Sequence, residues 1–216
     1  MRTIVAKEPD KRIKDIFKSN INIDYTFLPI FRYKKLPINS KWLNNLQNGF
    51  FNWIVFTSFR SWKIFMQIIV KEIGSIPDKT NIAVFGTASV KQIKQSKERV
   101  DFTVQAQNAT EFGFKFLNQL NRNENICYPA SFASSIEIEK CLSRKNIKVY
   151  RENIYKPICI INATKINRIM SNIKPDAIVF FSTKSVKSFM GNCSTDILER
   201  ISRMQLFALG DPTANA

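Results

Sequence analysis

Ile54-Val55-Phe56-Thr57-Ser58-Phe59-Arg60-Ser61-Trp62-Lys63-Ile64-Phe65-Met66 returns 124 residues later as Ile178-Val179-Phe180-Phe181-Ser182-Thr183-Lys184-Ser185-Val186-Lys187-Ser188-Phe189-Met190. Eight of the thirteen positions are identical, and Arg60 against Lys184 keeps the charge. The same offset aligns Asn22-Ile23 with Asn146-Ile147 and Ile30-Phe31 with Ile154-Tyr155. It also aligns Ile82-Ala83-Val84-Phe85-Gly86 with Leu206-Phe207-Ala208-Leu209-Gly210. Several separate segments falling into one register read as a duplicated α/β unit.

Composition narrows what such a chain can be. Its 216 residues suffice for one large domain or two small ones, and the repeat favours two. At 44% apolar and 12% aromatic there is ample material for buried cores. The net charge of +16 concentrates anionic partners around the molecule: nucleic acid, an acidic membrane surface or a polyanionic small molecule. A solubility surface in a Lys-, Asn- and Ile-rich chain explains scattered charge equally well. Histidine is absent, which removes the usual general base and the commonest metal ligand together. Cys127, Cys141, Cys159 and Cys193 contain no CxxC pair and read as thiols of a reducing compartment, so no metal site is expected. The N-terminal stretch lacks the apolar core of a signal peptide, and the run from Phe50 to Phe56 is too short to span a bilayer. A soluble, cytoplasmic protein is expected.

In chain order, Thr3–Ala6 reads as a strand, and Pro9-Asp10 opens a helix with Ile13, Ile16 and Phe17 as an apolar stripe ending at Asn20 to Asn22. Ile23 to Tyr33 is extended and broken at Pro29. A short helix carries Trp42, Leu43 and Leu46. Trp53 to Phe56 is apolar throughout, as in a strand covered on both faces. A helix from about Arg60 buries Trp62, Phe65, Met66, Ile69 and Ile73 and ends at Gly74, Pro77 and Asp78. Ile82–Phe85 is a strand, and Gly86-Thr87-Ala88-Ser89 turns into a helix. Phe102–Val104 is a further strand, and Asn108-Ala109-Thr110-Glu111 caps a helix that buries Phe112, Phe116 and Leu120. Ile126 begins another strand, then comes a helix to about Arg144. An extended segment follows from Val149 through Tyr155 to Ile161, then a helix over 165–172. Strands at Ala177 to Phe181 and Leu206 to Leu209 close the order. Strands alternating with helices predict parallel sheets flanked by helices, with ligands collecting at the carboxyl ends of the strands.

The turns at those ends are Thr57-Ser58, Thr87-Ala88-Ser89, Asn108-Ala109-Thr110, Ser182-Thr183 and Thr213. Each joins a hydroxyl or amide to the free N–H groups of a helix N-terminus, a combination suited to carboxylates. Arg60 and Lys184, two residues past the repeated serines, add positive charge. Plain N-capping explains any one of these serines, and the recurrence of matched turns in both halves weighs against it. Other chemistries fail. With six glycines and no GxGxxG there is no dinucleotide fingerprint, no phosphate-binding P-loop and no GxSxG elbow. A Ser-His-Asp triad is impossible. Nucleic-acid binding wants clustered basic residues interleaved with aromatics, and the eighteen Phe fall mostly at core spacing.

Phe56-Thr57-Ser58, Val84-Phe85-Gly86-Thr87-Ala88-Ser89 and Gln107-Asn108-Ala109-Thr110 resemble uroporphyrinogen-III synthase. So do Tyr155 after Val149, Pro175-Asp176-Ala177-Ile178-Val179-Phe180-Phe181-Ser182, and Ala208-Leu209-Gly210-Asp211-Pro212-Thr213-Ala214. The resemblance runs in order from Thr3 to the last residue. It implies two similar α/β domains, each a parallel sheet flanked by helices, joined by a two-stranded linker: residues 1–33 with 156–216, and 34–155. It implies a cyclising hydro-lyase of haem biosynthesis that needs no cofactor and no metal. Its substrate is the linear tetrapyrrole hydroxymethylbilane, with eight carboxylates. Loss of hydroxyl gives an azafulvene, attack through the substituted carbon of the last pyrrole gives a spiro intermediate, and reopening and reclosure invert that ring to give uroporphyrinogen III.

By the same resemblance Tyr155 assists departure of the hydroxyl. Lys7, Thr57, Ser58, Arg60, Gly86, Thr87, Ser89, Asn108, Ala109, Ser182, Lys184 and Thr213 hold substrate. Asp211, between Gly210 and Pro212, departs from the family's pattern and sets a negative charge beside a polycarboxylate. A monomer is expected, taking substrate from the preceding pathway enzyme, with no nucleic acid and no membrane as partner. A non-catalytic bilobed anion-binding protein is the alternative.

In the repeat register Ala216 corresponds to Gln92, so residues from Ile93 to about Glu124 have no counterpart in the second half. The expectation is that the domain holding residue 216 lacks one strand and one helix relative to its sibling. It should then expose a sheet edge and part of an apolar face, as in a shortened form of a longer protein.

Overall fold

The structure, a computed structural model, describes residues 1–19 and 22–216. The expected helix end at Asn20 to Asn22 therefore lies, for Asn20 and Ile21, outside the described residues. The chain runs through β1 (Arg2–Val5), α1 (Lys11–Lys18), β2 (Asp24–Phe27), β3 (Phe31–Lys35), α2 (Ser40–Gln47), β4 (Trp53–Phe56) and α3 (Phe59–Glu72). It continues with β5 (Asn81–Val84), α4 (Thr87–Gln95), α5 (Ala109–Leu117), β6 (Asn125–Ser131), α6 (Glu137–Leu142) and β7 (Lys148–Cys159). It ends with α7 (Ala163–Ile173), β8 (Ala177–Phe180), α8 (Thr183–Met190), α9 (Thr195–Ile201), β9 (Gln205–Ala208) and α10 (Asp211–Ala214).

Two compact units result. Unit 1 is Met1–Arg32 with Ile158–Ala216, and unit 2 is Tyr33–Pro157. The changeovers fall inside β3 and β7, the two strands through which the chain leaves unit 1 and returns to it. Unit 1 holds a four-stranded sheet in the order β2-β1-β8-β9, parallel throughout. Unit 2 holds a five-stranded sheet, β3-β7-β6-β4-β5, in which β7, β6, β4 and β5 are parallel. Residues 124 apart take equivalent register positions: Ile54 faces Ile82, and Ile178 faces Leu206.

Every residue of β4 is buried, because this central strand is covered on both faces. Alternate side chains enter different cores. Ile54 and Phe56 join Trp42, Trp62, Phe65 and Ile69 on one face, while Trp53 and Val55 join Phe112, Phe116 and Ile126 on the other. Unit 1 has one such cluster among the described residues, built from Ile4, Ile178, Phe180, Ile166, Met170 and Phe189.

The other face of that sheet is where the two units part. Ala83 on β5, which faces the second core of unit 2, is 0% exposed, whereas Phe207, 124 residues on, is 46% exposed. In unit 2 the segment after β5 contributes Phe102, and α5 contributes Phe112 and Phe116; unit 1 has no equivalent layer among its described residues. Strand β9 is also the last of its sheet, with no further strand beyond it among the described residues.

Two expectations need correction, and one helix was not expected. Phe102–Val104 does not form a strand. A single parallel bridge joins Phe102 to Ala83, and the Phe102 ring then turns into the Phe112–Phe116 pair at 6.1 and 5.2 Å. The stripe on α1 buries nothing, and Ile16 is 62% exposed, because no layer among the described residues covers that helix; Phe17 instead stacks on Tyr25 at 4.8 Å. Helix α9, behind Ser194, is absent from the sequence reading although Ile197 and Ile201 are spaced to bury one face.

Caps follow their residue types closely. Asn108 accepts from the Glu111 N–H at 2.9 Å, and Glu111 reaches back to the Gln107 N–H at 2.8 Å. That Gln107 N–H, helped by the Lys115 ammonium, holds the Glu111 carboxyl below its ordinary range. The Arg2 N–H does the same for Asp176. Around Asp10 burial works against ionisation, but the Lys7 ammonium at 3.2 Å and the Ile13 N–H outweigh it, so this carboxyl is also lowered. Folded values below unfolded ones mean stabilisation that is complete above the ordinary carboxylate range and lost as pH falls through the folded values. The thermal midpoint should therefore be flat from about pH 7 to 5 and drop below about pH 4. A midpoint that rises on acidification would contradict this.

Candidate functional site

In unit 2 the turn after β4 is fixed by its own serines. Ser58 is extended (φ −159°, ψ 149°) and caps α3 by accepting from the Ser61 N–H at 3.1 Å. Its Oγ also lies 3.0 Å from Ser61 Oγ. Ser61 is buried, and its Oγ stands 3.4 Å from the Tyr155 hydroxyl. Tyr155 itself is 5% exposed, inside the core cluster of β4 and α3. Its ring meets Tyr33 edge-on at 5.9 Å, and the Arg60 guanidinium lies 3.6 Å over the Tyr33 ring. Thus Tyr155, far from Ser58 and Arg60 in sequence, meets them at one end of β4. Thr57 lies beside them, its Oγ1 3.4 Å from the Tyr128 hydroxyl, whose phenol burial pushes up.

The turn after β5 joins this group. Gly86 caps α4 at φ 90°, a left-handed conformation that glycine adopts without a Cβ penalty. Ser89 Oγ accepts from the Phe59 N–H at 3.1 Å, tying the two turns together. Thr87 is exposed and lines a shallow pocket of about 270 Å³ with Val90, Lys91, Thr103, Val104 and Gln105. Asn108 and Ala109 sit at the start of α5, with Ala109 packed on the second core face. No hydrogen bond or ring contact among the described residues joins them to the Ser58 group.

In unit 1, Ser182 (φ −163°, ψ 148°) caps α8 through the Ser185 N–H at 3.2 Å, matching the Ser58 turn. Lys184 lies 5.5 Å over the Phe31 ring, and Lys7 lies 5.1 Å over Phe181 while pairing with Asp10. Gly210 caps α10 at φ 81°, as Gly86 caps α4. Thr213 is 6% exposed, so its hydroxyl is not presented to solvent; Thr183 nearby donates to the Pro212 carbonyl at 2.6 Å.

Sequence reasoning passed over one turn. Ser131 to Ser135 follows β6 at its carboxyl end and is held by Arg151, which donates to the Ser131, Ser134 and Ser135 carbonyls and to Glu139 at 2.8–3.1 Å. Three serines directly after the apolar run from Ile126 were the available signal. A cavity of about 550 Å³ lined by Met1, Asp176, Arg200, Arg203 and Gln205 lies at the amino ends of the unit 1 strands, opposite to the turns of that unit. Its arginines are engaged: Arg203 pairs with Glu199, and Arg200 donates to the Met170 carbonyl. Among the described residues no helix is long and apolar enough to cross a membrane.

No curated protein sequence matches the chain. Among solved structures, a mutant uroporphyrinogen III synthase from the extremely thermophilic bacterium Thermus thermophilus is similar over 100% of this chain and 87% of its own, at 16% identity and a TM-score of 0.63. The uroporphyrinogen-III synthetase of Helicobacter pylori is similar over 100% of this chain and 95% of its own, at 13% identity and a TM-score of 0.60. At these identities the likeness speaks for the fold. The sequence profile of the family described as uroporphyrinogen-III synthase HemD matches residues 5–216, nearly the whole length. With its parallel sheets and its hydroxyl-bearing turns at strand ends, the chain belongs to the uroporphyrinogen-III synthase family.

Proposed function

We propose that Tyr155 is the proton donor in the family's cyclisation of hydroxymethylbilane to uroporphyrinogen III, and that the turns after the strands hold the substrate's carboxylates. The observation that carries this reading is the convergence, at the end of β4, of the Tyr155 phenol with Ser58, Ser61, Tyr33 and Arg60. The reaction asks little acid–base chemistry of the protein. The pyrroles supply the electrons, so the chain has to release one hydroxyl as water, fold the bilane and neutralise its charges. A chain without histidine can do this, with tyrosine as the acid and a +16 surface drawing in a polyanion.

Thr57, Ser58, Gly86, Thr87, Ser89, Asn108 and Ala109 in unit 2, and Ser182 and Thr213 in unit 1, surround helix N-termini whose N–H groups favour anions. Thr213 is buried and its N–H donates to the Gly210 carbonyl at 3.0 Å, so in this reading it shapes the turn rather than touching a carboxylate. Arg60, Lys184 and Lys7 supply the fixed cations. We place the protein in the cytoplasm as a monomer, receiving its unstable substrate from the preceding enzyme.

Product analysis tests the reading directly. Freshly made hydroxymethylbilane incubated with the protein should give the III isomer, whereas the spontaneous reaction gives isomer I. Isomer I alone would refute it.

A further inference from the structure

The two halves of the chain differ at one informative place. Ser61 and Ser185 are equivalent, 124 residues apart, and both are buried, at 1% and 4% exposure. Each pairs with the capping serine three residues earlier at an Oγ–Oγ distance of 3.0 Å. In the same register Tyr155 corresponds to Phe31. Where the ring is Phe31, the Ser185 hydroxyl turns back and donates to the Ser182 carbonyl at 2.6 Å. Where the ring is Tyr155, Ser61 Oγ instead faces the phenol at 3.4 Å. The hydroxyl of the second serine therefore follows the presence of a phenol, which helix capping alone does not require.

This bears on a difficulty in using Tyr155 as an acid. At 5% exposure the phenol sits inside the core, and a bulky bilane cannot reach its ring. Ser58, in contrast, is partly exposed at the strand end. Its Oγ accepts from the Ser61 N–H, and in both Ser58–Ser61 and Ser61–Tyr155 either oxygen can be the donor. A row of three hydroxyls thus leads from the buried phenol to the surface of the turn. The 3.4 Å step is long for O–H···O, and catalytic hydrogen bonds of this kind tighten when the reacting complex forms.

We propose that Ser61 is a positioning residue that links the buried Tyr155 hydroxyl to Ser58, so that the proton reaches the substrate along Tyr155–Ser61–Ser58. The inference rests on the reading of Tyr155 as the proton source. In the forward step Ser58 gives its proton to the leaving hydroxyl, Ser61 re-protonates Ser58, and Tyr155 re-protonates Ser61. The carbon–oxygen bond breaks with its electron pair leaving on water, and a phenolate remains. Ring closure later releases one proton from a pyrrole α-carbon, which returns along the same row to the phenolate. The sum is bilane to uroporphyrinogen plus water, with no other reactant.

The test compares Ser61→Ala, Ser61→Thr, Tyr155→Phe, the Ser61→Ala/Tyr155→Phe double variant and Ser185→Ala in the full chain, using freshly generated hydroxymethylbilane. Ser61→Ala should lower kcat on the order of 10- to 100-fold with KM little changed, and Ser61→Thr, which keeps a hydroxyl, should recover most of it. The double variant should be no slower than the slower single one, because the hydroxyls act in series. Ser185→Ala removes the matching cap pair in unit 1 and should keep wild-type kcat; thermal midpoints of Ser61→Ala and Ser185→Ala show whether packing is disturbed equally. Wild-type kcat in Ser61→Ala, failure of Ser61→Thr to recover activity, or multiplying losses in the double variant would overturn the proposal while leaving Tyr155 as the acid. Wild-type turnover in Tyr155→Phe would instead remove the reading on which it rests.

Discussion

Tyr155→Phe is expected to lower kcat by about 100-fold and to leave KM within about threefold of wild type. The substitution deletes one oxygen and keeps the ring that packs edge-on to Tyr33 at 5.9 Å. The hydrogen bond lost is the 3.4 Å contact to Ser61, so stability should change by less than about 1 kcal/mol. An interaction used only as the hydroxyl departs affects the transition state and not the bound substrate, which is why kcat should carry the loss. Steady-state kinetics beside a denaturation curve separate the cases. A KM rise with kcat intact would make Tyr155 a binding residue, and a fall in midpoint that accounts for the lost activity would make it a structural one.

The largest effect on stability should come from Phe112→Ala, at about 3–5 kcal/mol. Phe112 is fully buried, and its ring meets Phe85 at 5.4 Å, Phe116 at 5.9 Å and Phe102 at 6.1 Å. These four rings close the second face of the unit 2 sheet over Ala83 and Val55, and truncating one leaves a cavity that its packed neighbours fill only in part. Domains of this size have about 5–15 kcal/mol to lose, so the urea midpoint should fall by a large fraction. Unit 1, whose equivalent shelf carries Phe207 at 46% exposure, should be spared. A probe in each unit, such as Trp53 for unit 2 and a label at Cys193 for unit 1, would then report separate transitions. A single transition with an unchanged midpoint would contradict the expectation.

Much of this protein is readable from its residues alone, wherever the deciding interaction is local. Ser58, Ser182 and Asn108 cap the helices that follow them because a short polar side chain can reach N–H groups two or three residues on. Trp53 to Phe56 announces a strand buried on both faces, and Gly86 and Gly210 mark turns that need positive φ. The repeat and the ordered motifs were sufficient to point to the family.

What tertiary structure alone decided involves partners far apart in sequence. Periodicity marks an apolar stripe on α1, but whether anything covers it depends on a layer drawn from elsewhere, and none is present among the described residues. Phe102–Val104 has the side chains of a strand, and the pull of Phe102 toward Phe112 and Phe116 limits it to one bridge. Phe207 is apolar like Ala83, yet it is exposed while Ala83 is buried, because only one sheet has a helix such as α5 packed over that face. The row from Tyr155 through Ser61 to Ser58 joins side chains 94 residues apart in sequence, and no local pattern encodes a contact that forms only when β7 is laid into the sheet beside β6 and α3 packs over it.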